Sequence, residues 1–397
     1  MTTPLTLSIF GASGSVGRKA VQVALDDPDR FRVQVLTAGR DVAALVALGQ
    51  RLGAAHLVVA DDNAYQDLQD AVAAAGLSCT VAAGANAMVE AAAMPVDYAV
   101  SAIVGLAGLA TTLELAANAR VLAIANKESI VCGWPLLRAT TAAHNTAIIP
   151  LDSEHNSLFQ LINPLPRSCW SSVTITASGG PFRGWNRQQL ATVTPQQALN
   201  HPVWKMGGKI SIDSATLANK GLEVMEAACL FDLTADQIEV LVHPQAQVHA
   251  MIQLKNGSRL TLASPPDMLY PLQHALYWPQ VFDAPPHQRD WSWPALQFEA
   301  VDTTAFPALP LAYQALQAGH SAMMTYNIAN EVAVEAFLAK KIDFLGISAL
   351  IDRALTDFPL VSLTSFADIQ DYDWQLRRRL ADDGLPTPRA VNAQLTG

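Results

Sequence analysis

The chain has 397 residues, too many for a single hydrophobic core and consistent with two or three domains of roughly 100 to 200 residues each. Hydrophobic residues make up 51% and charged residues 15%, a globular balance that excludes disorder, and the net charge of −10 excludes a general nucleic-acid binder, which needs a basic surface. Any phosphate must therefore be held by a few local lysines and arginines. From Leu5 to about Pro150 short apolar runs (LTLSIF, FRVQVLTA, HLVVA, YAVSAIV, VLAIA and AIIP) alternate with Ala-rich helical stretches. That rhythm predicts a parallel sheet flanked by helices, a Rossmann-like domain over 1–150. From 151 to 285 the runs VTITAS, EVLVHP, VHAMIQL and RLTLAS predict an α+β domain with a more exposed sheet. Pro- and Trp-rich residues 286–310 read as a linker. Over 311–397, PLAYQALQAG, ANEVAVEAFLAKK and ISALIDRALTD have the spacing of amphipathic helices and predict a C-terminal helical bundle.

Cys79, Cys132, Cys169 and Cys229 are scattered, with no CxxC pair or zinc spacing, and read as buried thiols in a reducing cytosol. The first residues enter a strand-like run without a basic region or a cleavage site, and every apolar stretch is broken before it could span a bilayer. The expectation is a cytoplasmic protein with no membrane and no nucleic-acid partner.

Directly after the first strand comes Gly11-Ala-Ser-Gly14-Ser-Val-Gly17, followed by a helix. Glycines let the backbone approach a pyrophosphate, and the helix start presents unpaired N–H groups with a positive dipole end, to which Ser13 and Ser15 add hydroxyls. The strand–loop–helix context favours a dinucleotide site over a structural turn. After the second strand, Gly39-Arg40-Asp41 offers a cation where an NAD enzyme usually carries an acid, which favours NADPH. Asp41 has two readings: a carboxylate that would repel a 2′-phosphate, or the cap of the next helix. Ala102-Ile103-Val104-Gly105 and Asn126-Lys127-Glu128 follow further strands, at the carboxyl edge where doubly wound sheets bind ligands.

Asp152-Ser153-Glu154 follows the strand AIIP. In extended backbone, residues two apart share a face, so both carboxylates can reach one ion; Asp152 also suits a helix cap. With Glu223 they form a hard-oxygen set suited to Mg²⁺ or Mn²⁺ rather than zinc. His155 has no partner in the sequence and reads as structural. Ser178, in TASGGPF, reads equally as a phosphate contact and as a turn serine. His201 to Glu223 is the densest stretch. Trp204 and Met206 lie on a Gly-rich loop as an aromatic and apolar cover, Ser214, Asn219 and Lys220 supply donors for a phosphate, and Glu223 follows Lys220 by one helical turn. His243-Pro244-Gln245 and Pro266-Asp267-Met268 read as further loop elements near the site, with Met268 in a packing role.

Taken in order, GASGSVG, ANKES, LDSEHN, TASGGPF, HPVWKMGGKISIDSAT, NKGLE, VHPQ, PDM and NIANEVAVEAF resemble the 1-deoxy-D-xylulose 5-phosphate reductoisomerase family along nearly the whole chain. The resemblance implies an enzyme of the non-mevalonate isoprenoid pathway. It would make 2-C-methyl-D-erythritol 4-phosphate with NADPH and a divalent cation, usually as a homodimer, and would be a target of fosmidomycin. By position it implies Asp152, Glu154 and Glu223 as metal ligands, and Ser178, Ser214, Asn219 and Lys220 as the phosphate clamp. Lys127, Ser153 and His201 join them around the substrate, with Trp204 and Met206 on a flap. Ser13, Gly14, Ser15, Val16, Gly39, Arg40, Asp41, Asn126, Glu128 and Gly207 would line the cofactor site. The chain departs from the family pattern at Asp41, Val203, Gly208, Ala246, Gln247 and Leu269, none of which is a catalytic carboxylate or Lys127. Two rival readings remain: an NADPH-dependent dehydrogenase of another phosphorylated substrate without rearrangement, and a non-catalytic nucleotide sensor.

Overall fold

The structure, a computed structural model, describes residues 3–204, 207–285, 288, 292 and 295–382. Seven parallel strands form the first sheet: β1 (Leu5–Phe10), β2 (Phe31–Ala38), β3 (His56–Val59), β4 (Thr80–Ala83), β5 (Val96–Ser101), β6 (Ala119–Ile124) and β7 (Ala147–Pro150), in the order β4-β3-β2-β1-β5-β6-β7. Continuous apolar runs form these strands because helices cover both faces, as in β1, whose last four residues are all buried. β4 escapes the hydrophobic pattern because TVAA is short, carries no large apolar residue and lies at the sheet edge. The strand order reverses between β1 and β5, which opens a crevice at their carboxyl ends.

The sheet delivers its loops to one edge in register. Backbone bonds run from Ala102 N to Phe10 O at 2.9 Å, from Ala125 N to Ser101 O at 2.9 Å and from Leu151 N to Ile124 O at 2.8 Å. The loops after β1, β5, β6 and β7 thus leave side by side, and Asn126-Lys127 emerges next to Leu151-Asp152.

The second sheet has five strands in the order β11-β10-β8-β9-β12: β8 (Trp170–Ala177), β9 (Ile238–Val242), β10 (Val248–Leu254), β11 (Arg259–Ala263) and β12 (Glu299–Ala300). β8 and β9 are parallel and the other pairs antiparallel. The four strand runs read from the sequence are all present. β12 lies within the Pro- and Trp-rich segment and pairs Glu299 with Val242. The helix Leu269–Tyr277 returns to the first sheet, where Leu272, Ala275 and Leu276 join its core.

The described C-terminal helices are Ala308–Ala318, His320–Leu338, Phe344–Asp357 and Phe366–Asp382. His320–Leu338 is buried around most of its circumference, because it packs against Phe344–Asp357, Phe366–Asp382, Gly208–Thr216 and Lys127–His144. The second sheet and these helices share one continuous core that includes Trp170, Tyr326, Phe337, Cys132 and Cys229. Cys169 is exposed in the turn before β8 and Cys79 is half-buried, so the expectation of buried thiols holds for two of the four. Among the described residues no helix is long and apolar enough to cross a membrane.

Candidate active site

At the β1 end the chain turns sharply. Gly11 has φ +88°, and an added Cβ would lie 2.6 Å from the Ala102 carbonyl oxygen, so only glycine allows the two strand ends to meet so closely. Gly14 caps the helix Ser15–Asp26 without any side-chain bond, which leaves the first-turn N–H groups around Ser15 and Val16 free for an anion. Arg18 Nε donates to the Ser13 carbonyl at 2.7 Å and braces the loop. Beyond β2, Asp41 accepts from Ala44 N–H at 3.0 Å, so its carboxylate caps the helix Val42–Leu52, while Arg40 stands exposed beside Gly39. Of the two readings of Asp41, the helix cap is the one its geometry bears out.

Asn126 caps the helix Lys127–His144. Its Oδ1 accepts from Ser129 N–H at 2.5 Å, and its Nδ2 donates to the carbonyls of Ile103 and, at 2.9 Å, Gly105. It ties the β5 and β6 loops together and points Lys127 across the sheet edge. Asp152 caps the neighbouring helix Ser153–Ile162 through Glu154 N–H at 3.2 Å, which bears out its reading as a cap, while its other oxygen binds Lys127.

Glu223 arrives from the helix Ala218–Phe231, which packs on Lys127–His144. Leu217, at φ +61° and buried, breaks the chain between this helix and Gly208–Thr216, so Asn219 and Lys220 fall in a new first turn. Ligand oxygens of Asp152, Glu154 and Glu223 lie within 4.8 Å of one another. Two lysines interleave with them. Lys127 Nζ pairs with Asp152, with Glu223 at 3.1 Å and with Glu226 at 3.6 Å, while Lys220 Nζ pairs with Glu223 and, at 3.0 Å, with Glu154. Asn219 Nδ2 donates to Glu223 at 2.5 Å, and Ser153 Oγ donates to Glu154 at 2.5 Å.

Were all four carboxylates ionised, the cluster with its two ammonium groups would carry a net charge of −2, and burial acts against that much charge. Burial pushes the Glu154 carboxyl up to about 8, with Glu223 and Asp152 adding to the effect against Lys220. Burial likewise lifts Glu226 to about 7, although His155 and Lys127 oppose it. Burial also acts to raise Asp152, but Lys127, His155 and Lys220 outweigh it and hold that carboxyl well below the ordinary range. For Lys127 burial favours the neutral amine, and Asp152, Glu223 and Glu226 reverse this and keep it charged. Asn219 Oδ1, His155 Nδ1 and Glu226 Oε2 are buried with no hydrogen-bond partner among the described residues. A hard-oxygen donor set and buried oxygens left without a donor together fit a resident Mg²⁺ or Mn²⁺.

Ser178 and Ser214 form a second group with His201, whereas the other two phosphate candidates, Asn219 and Lys220, lie in the acidic cluster. Ser178 follows β8, and Gly180, at φ +66°, approaches so closely that an added Cβ would meet the Ser214 carbonyl oxygen at 2.8 Å. Ser178 Oγ accepts from Gly180 N–H at 3.3 Å and lies 3.1 Å from His201 Nε2. His201 Nδ1 accepts from the N–H groups of Val203 and Trp204 at 3.1 and 2.8 Å, so the ring proton sits on Nε2 and is donated to Ser178. Burial lowers the His201 pKa and favours this neutral form. Trp204 is half-buried, Gly207 caps the helix carrying Ser214, and Met206 lies outside the described residues.

Several residues gain roles that the sequence reading did not give them. Glu226 is a fourth acid, one helical turn after Glu223, a spacing that could have signalled it. His155, read as structural, donates through Nε2 to the Glu223 carbonyl at 2.8 Å and joins the two acid-bearing helices, while Nδ1 faces Asp152 at 3.5 Å and Glu226 at 3.7 Å. His243 and Gln245 bond Gln297 instead of the acidic cluster, and His243 stacks on Phe298, so this loop anchors the segment leading to β12. Asp267 pairs with Lys19 at 2.5 Å and holds Leu269 N–H at 2.8 Å.

Comparison with known proteins agrees with this layout. The sequence model of 1-deoxy-D-xylulose 5-phosphate reductoisomerase matches residues 7–133, that of its C-terminal domain residues 148–231, and a DXP reductoisomerase C-terminal domain model residues 263–379. The 1-deoxy-D-xylulose 5-phosphate reductoisomerase of Rhodospirillum centenum is 44% identical over 374 residues, covering 94% of this chain and 92% of that protein. The solved structure of the Zymomonas mobilis enzyme in complex with NADPH superposes with a TM-score of 0.88 at 40% identity, covering 96% of this chain and 98% of that one. A DOX-P reductoisomerase structure in complex with NADPH, fosmidomycin and magnesium gives 0.89 at 35% identity, covering 95% and 98%. With both sheets, the helical C-terminal region and this degree of identity in common, the chain belongs to the 1-deoxy-D-xylulose 5-phosphate reductoisomerase family.

Proposed function

We propose that the protein converts 1-deoxy-D-xylulose 5-phosphate to 2-C-methyl-D-erythritol 4-phosphate by rearrangement and reduction, with NADPH and Mg²⁺ or Mn²⁺, in isoprenoid precursor synthesis. The observation that carries this reading is the convergence of Asp152, Glu154 and Glu223 beside Lys127, on the sheet edge that also bears the glycine loop. When bound, the cation supplies Lewis acidity toward neighbouring substrate oxygens and the nicotinamide supplies the hydride.

The chain's own residues bind, orient and carry charge. Asp152, Glu154 and Glu223 are the proposed metal ligands. Lys127, kept charged by the acids around it, stabilises developing oxyanion charge in a site shielded from water. Ser178, Ser214, Asn219 and Lys220 grip the phosphate. Because His201 already fills one acceptor site of the Ser178 hydroxyl, that hydroxyl is left to donate to an anion. The phosphate is remote from the bonds that change, so its binding energy can align the reacting carbons. Trp204 contributes an apolar wall. Ser13 to Val16 with Gly39, Arg40, Asp41, Asn126, Glu128 and Gly207 form the proposed cofactor edge, and the exposed Arg40 guanidinium supports NADPH over NADH.

We also place the protein in the cytoplasm as a homodimer. A spectrophotometric assay of NADPH oxidation with deoxyxylulose phosphate, with and without chelator, tests the central reading. Chelator-sensitive oxidation yielding a branched-chain product by mass spectrometry is expected. A linear product would establish a simple dehydrogenase, and NADPH binding without turnover would establish a sensor. Sedimentation of the intact chain at twice the protomer mass is the matching result for the dimer.

A further inference from the structure

We infer that Lys209 is a positioning residue for the cofactor edge, held in place by a chain of buried charges that reaches into the C-terminal helices; this rests on the NADPH-dependent reading above. Lys209 is the second residue of the helix Gly208–Thr216, where the positive end of the helix dipole disfavours a cation. It needs partners, and the fold provides them from two directions. Its ammonium lies 2.9 Å from Asp213 Oδ2, one turn along its own helix, and 3.5 Å from Glu128 Oε1, in the first turn of Lys127–His144. Asp213 and Glu128 are 2% and 6% exposed, so each would be a costly unpaired charge without the lysine. Burial alone would lower the Lys209 pKa, and Asp213, Glu128 and Glu331 reverse that.

The chain of contacts continues away from the site. The second Asp213 oxygen accepts from Asn330 Nδ2 at 2.7 Å. Glu331, the next residue on His320–Leu338, accepts from Asn327 at 3.1 Å and pairs with Arg377, which also binds Asp373 at 2.8 Å. At the near end, Glu128 and Gly207 are both proposed cofactor residues, and Gly207 caps the very helix that Lys209 begins. A single ammonium therefore ties together two helix starts that face the cofactor, and the C-terminal helices hold that tie in register through Asn330.

The test compares the full-length wild type with Lys209→Met, Lys209→Arg and Asn330→Ala. NADPH affinity is measured by fluorescence titration, steady-state constants with deoxyxylulose phosphate and Mg²⁺, and Tm alongside. Mutations along such a coupled network shift binding by roughly 2- to 30-fold, so Lys209→Met is expected to raise the NADPH Kd and KM about tenfold while leaving the sugar phosphate KM within about threefold. Lys209→Arg should recover most of the loss, and Asn330→Ala, remote from the reacting groups, should raise the NADPH Kd about threefold. Lower Tm with NADPH affinity within about twofold of wild type in both Lys209→Met and Asn330→Ala would overturn the inference, as would an arginine variant as weak as the methionine one. If Lys209→Met fails to fold, Asn330→Ala decides alone by the same threshold. A wild type that binds NADPH but does not oxidise it with deoxyxylulose phosphate would overturn the functional reading instead, and the NADPH Kd values would still test the positioning role.

Discussion

The glycine loop and the acidic cluster open on the same edge of one sheet, yet the chain specifies them differently. The loop is local: Gly11 to Gly17 fold as one strand–turn–helix unit, and its distant requirement is the close approach of Ala102. The cluster is assembled from three segments, Lys127, Asp152 to His155, and Asn219 to Glu226, that meet because β6 pairs with β7 and one helix packs on another. Local motifs can be recognised from residue spacing. An assembled cluster is stabilised only when all its members are present, since buried carboxylates without counter-charges are costly.

The contrast is broken most severely at Glu223. Glu223→Gln should lower metal-dependent turnover by about 10³-fold, the several kcal/mol that a Lewis-acid centre supplies, with NADPH affinity by fluorescence titration little changed. A comparable loss of NADPH affinity would show that the two regions are not separable.

Lys220→Met comes next. Because Lys220 touches both Glu154 and Glu223 and belongs to the proposed phosphate clamp, kcat should fall roughly 10²-fold along with a higher KM. If steady-state kinetics show only the Michaelis constant rising, the clamp serves binding alone.

Gly11→Ala sharpens the other side. A side chain at φ +88° that meets the Ala102 carbonyl costs on the order of 1–3 kcal/mol, visible as a lower denaturation midpoint, and NADPH binding should weaken about tenfold while Mn²⁺ affinity stays unchanged. Loss of Mn²⁺ affinity in calorimetry would contradict the proposed independence.

The smallest effect is a pH dependence confined to the cluster. Glu154, lifted to about 8, and Glu226, lifted to about 7, bind protons more tightly folded than unfolded, where carboxyls titrate near 4. Without added metal their contribution to stability therefore grows as pH falls from about 8 toward 4. His249 has the opposite sign: burial lowers its pKa to about 4, so its contribution is present above about 6.5 and is lost as pH falls toward 4. Between pH 8 and 6.5 the carboxyls dominate, and denaturation midpoints should rise slightly on acidification in chelator. Saturating Mg²⁺ should reverse the trend, because protons and metal compete for the same oxygens. A midpoint that fell between pH 8 and 6.5 in chelator would count against the raised carboxyls.

Much of the cluster was legible in the residues, and the gaps have identifiable causes. Asp152 and Glu154 stand out by a spacing of two after a strand, and Glu223 by its turn-length distance from Lys220. Glu226 lies one further turn along the same helix, a spacing equally common on a solvated face, and only its burial against Lys127 and His155 sets it apart. His155 could not be assigned from spacing, since its partner is the Glu223 carbonyl 68 residues away in sequence and backbone carbonyls leave no trace in residue identity. The side-chain partner of His243 and Gln245 is hidden for a related reason: Gln297 lies in a segment whose Pro and Trp content suggests a linker but part of which pairs as β12.

Hydrophobic period, backbone freedom and side-chain chemistry specify the parallel sheet, the glycine turn, the helical C-terminal region and the kinds of donor the site offers. All of these act over a few neighbouring residues. Which donors meet is settled only by packing: Asp41 turns to its own helix, Lys127 bridges three acids and Lys220 two, and Asn330 reaches Asp213 across 117 residues. Charge pairing depends on distances of a few ångströms, and those distances are fixed by strand order and helix packing rather than by separation along the chain.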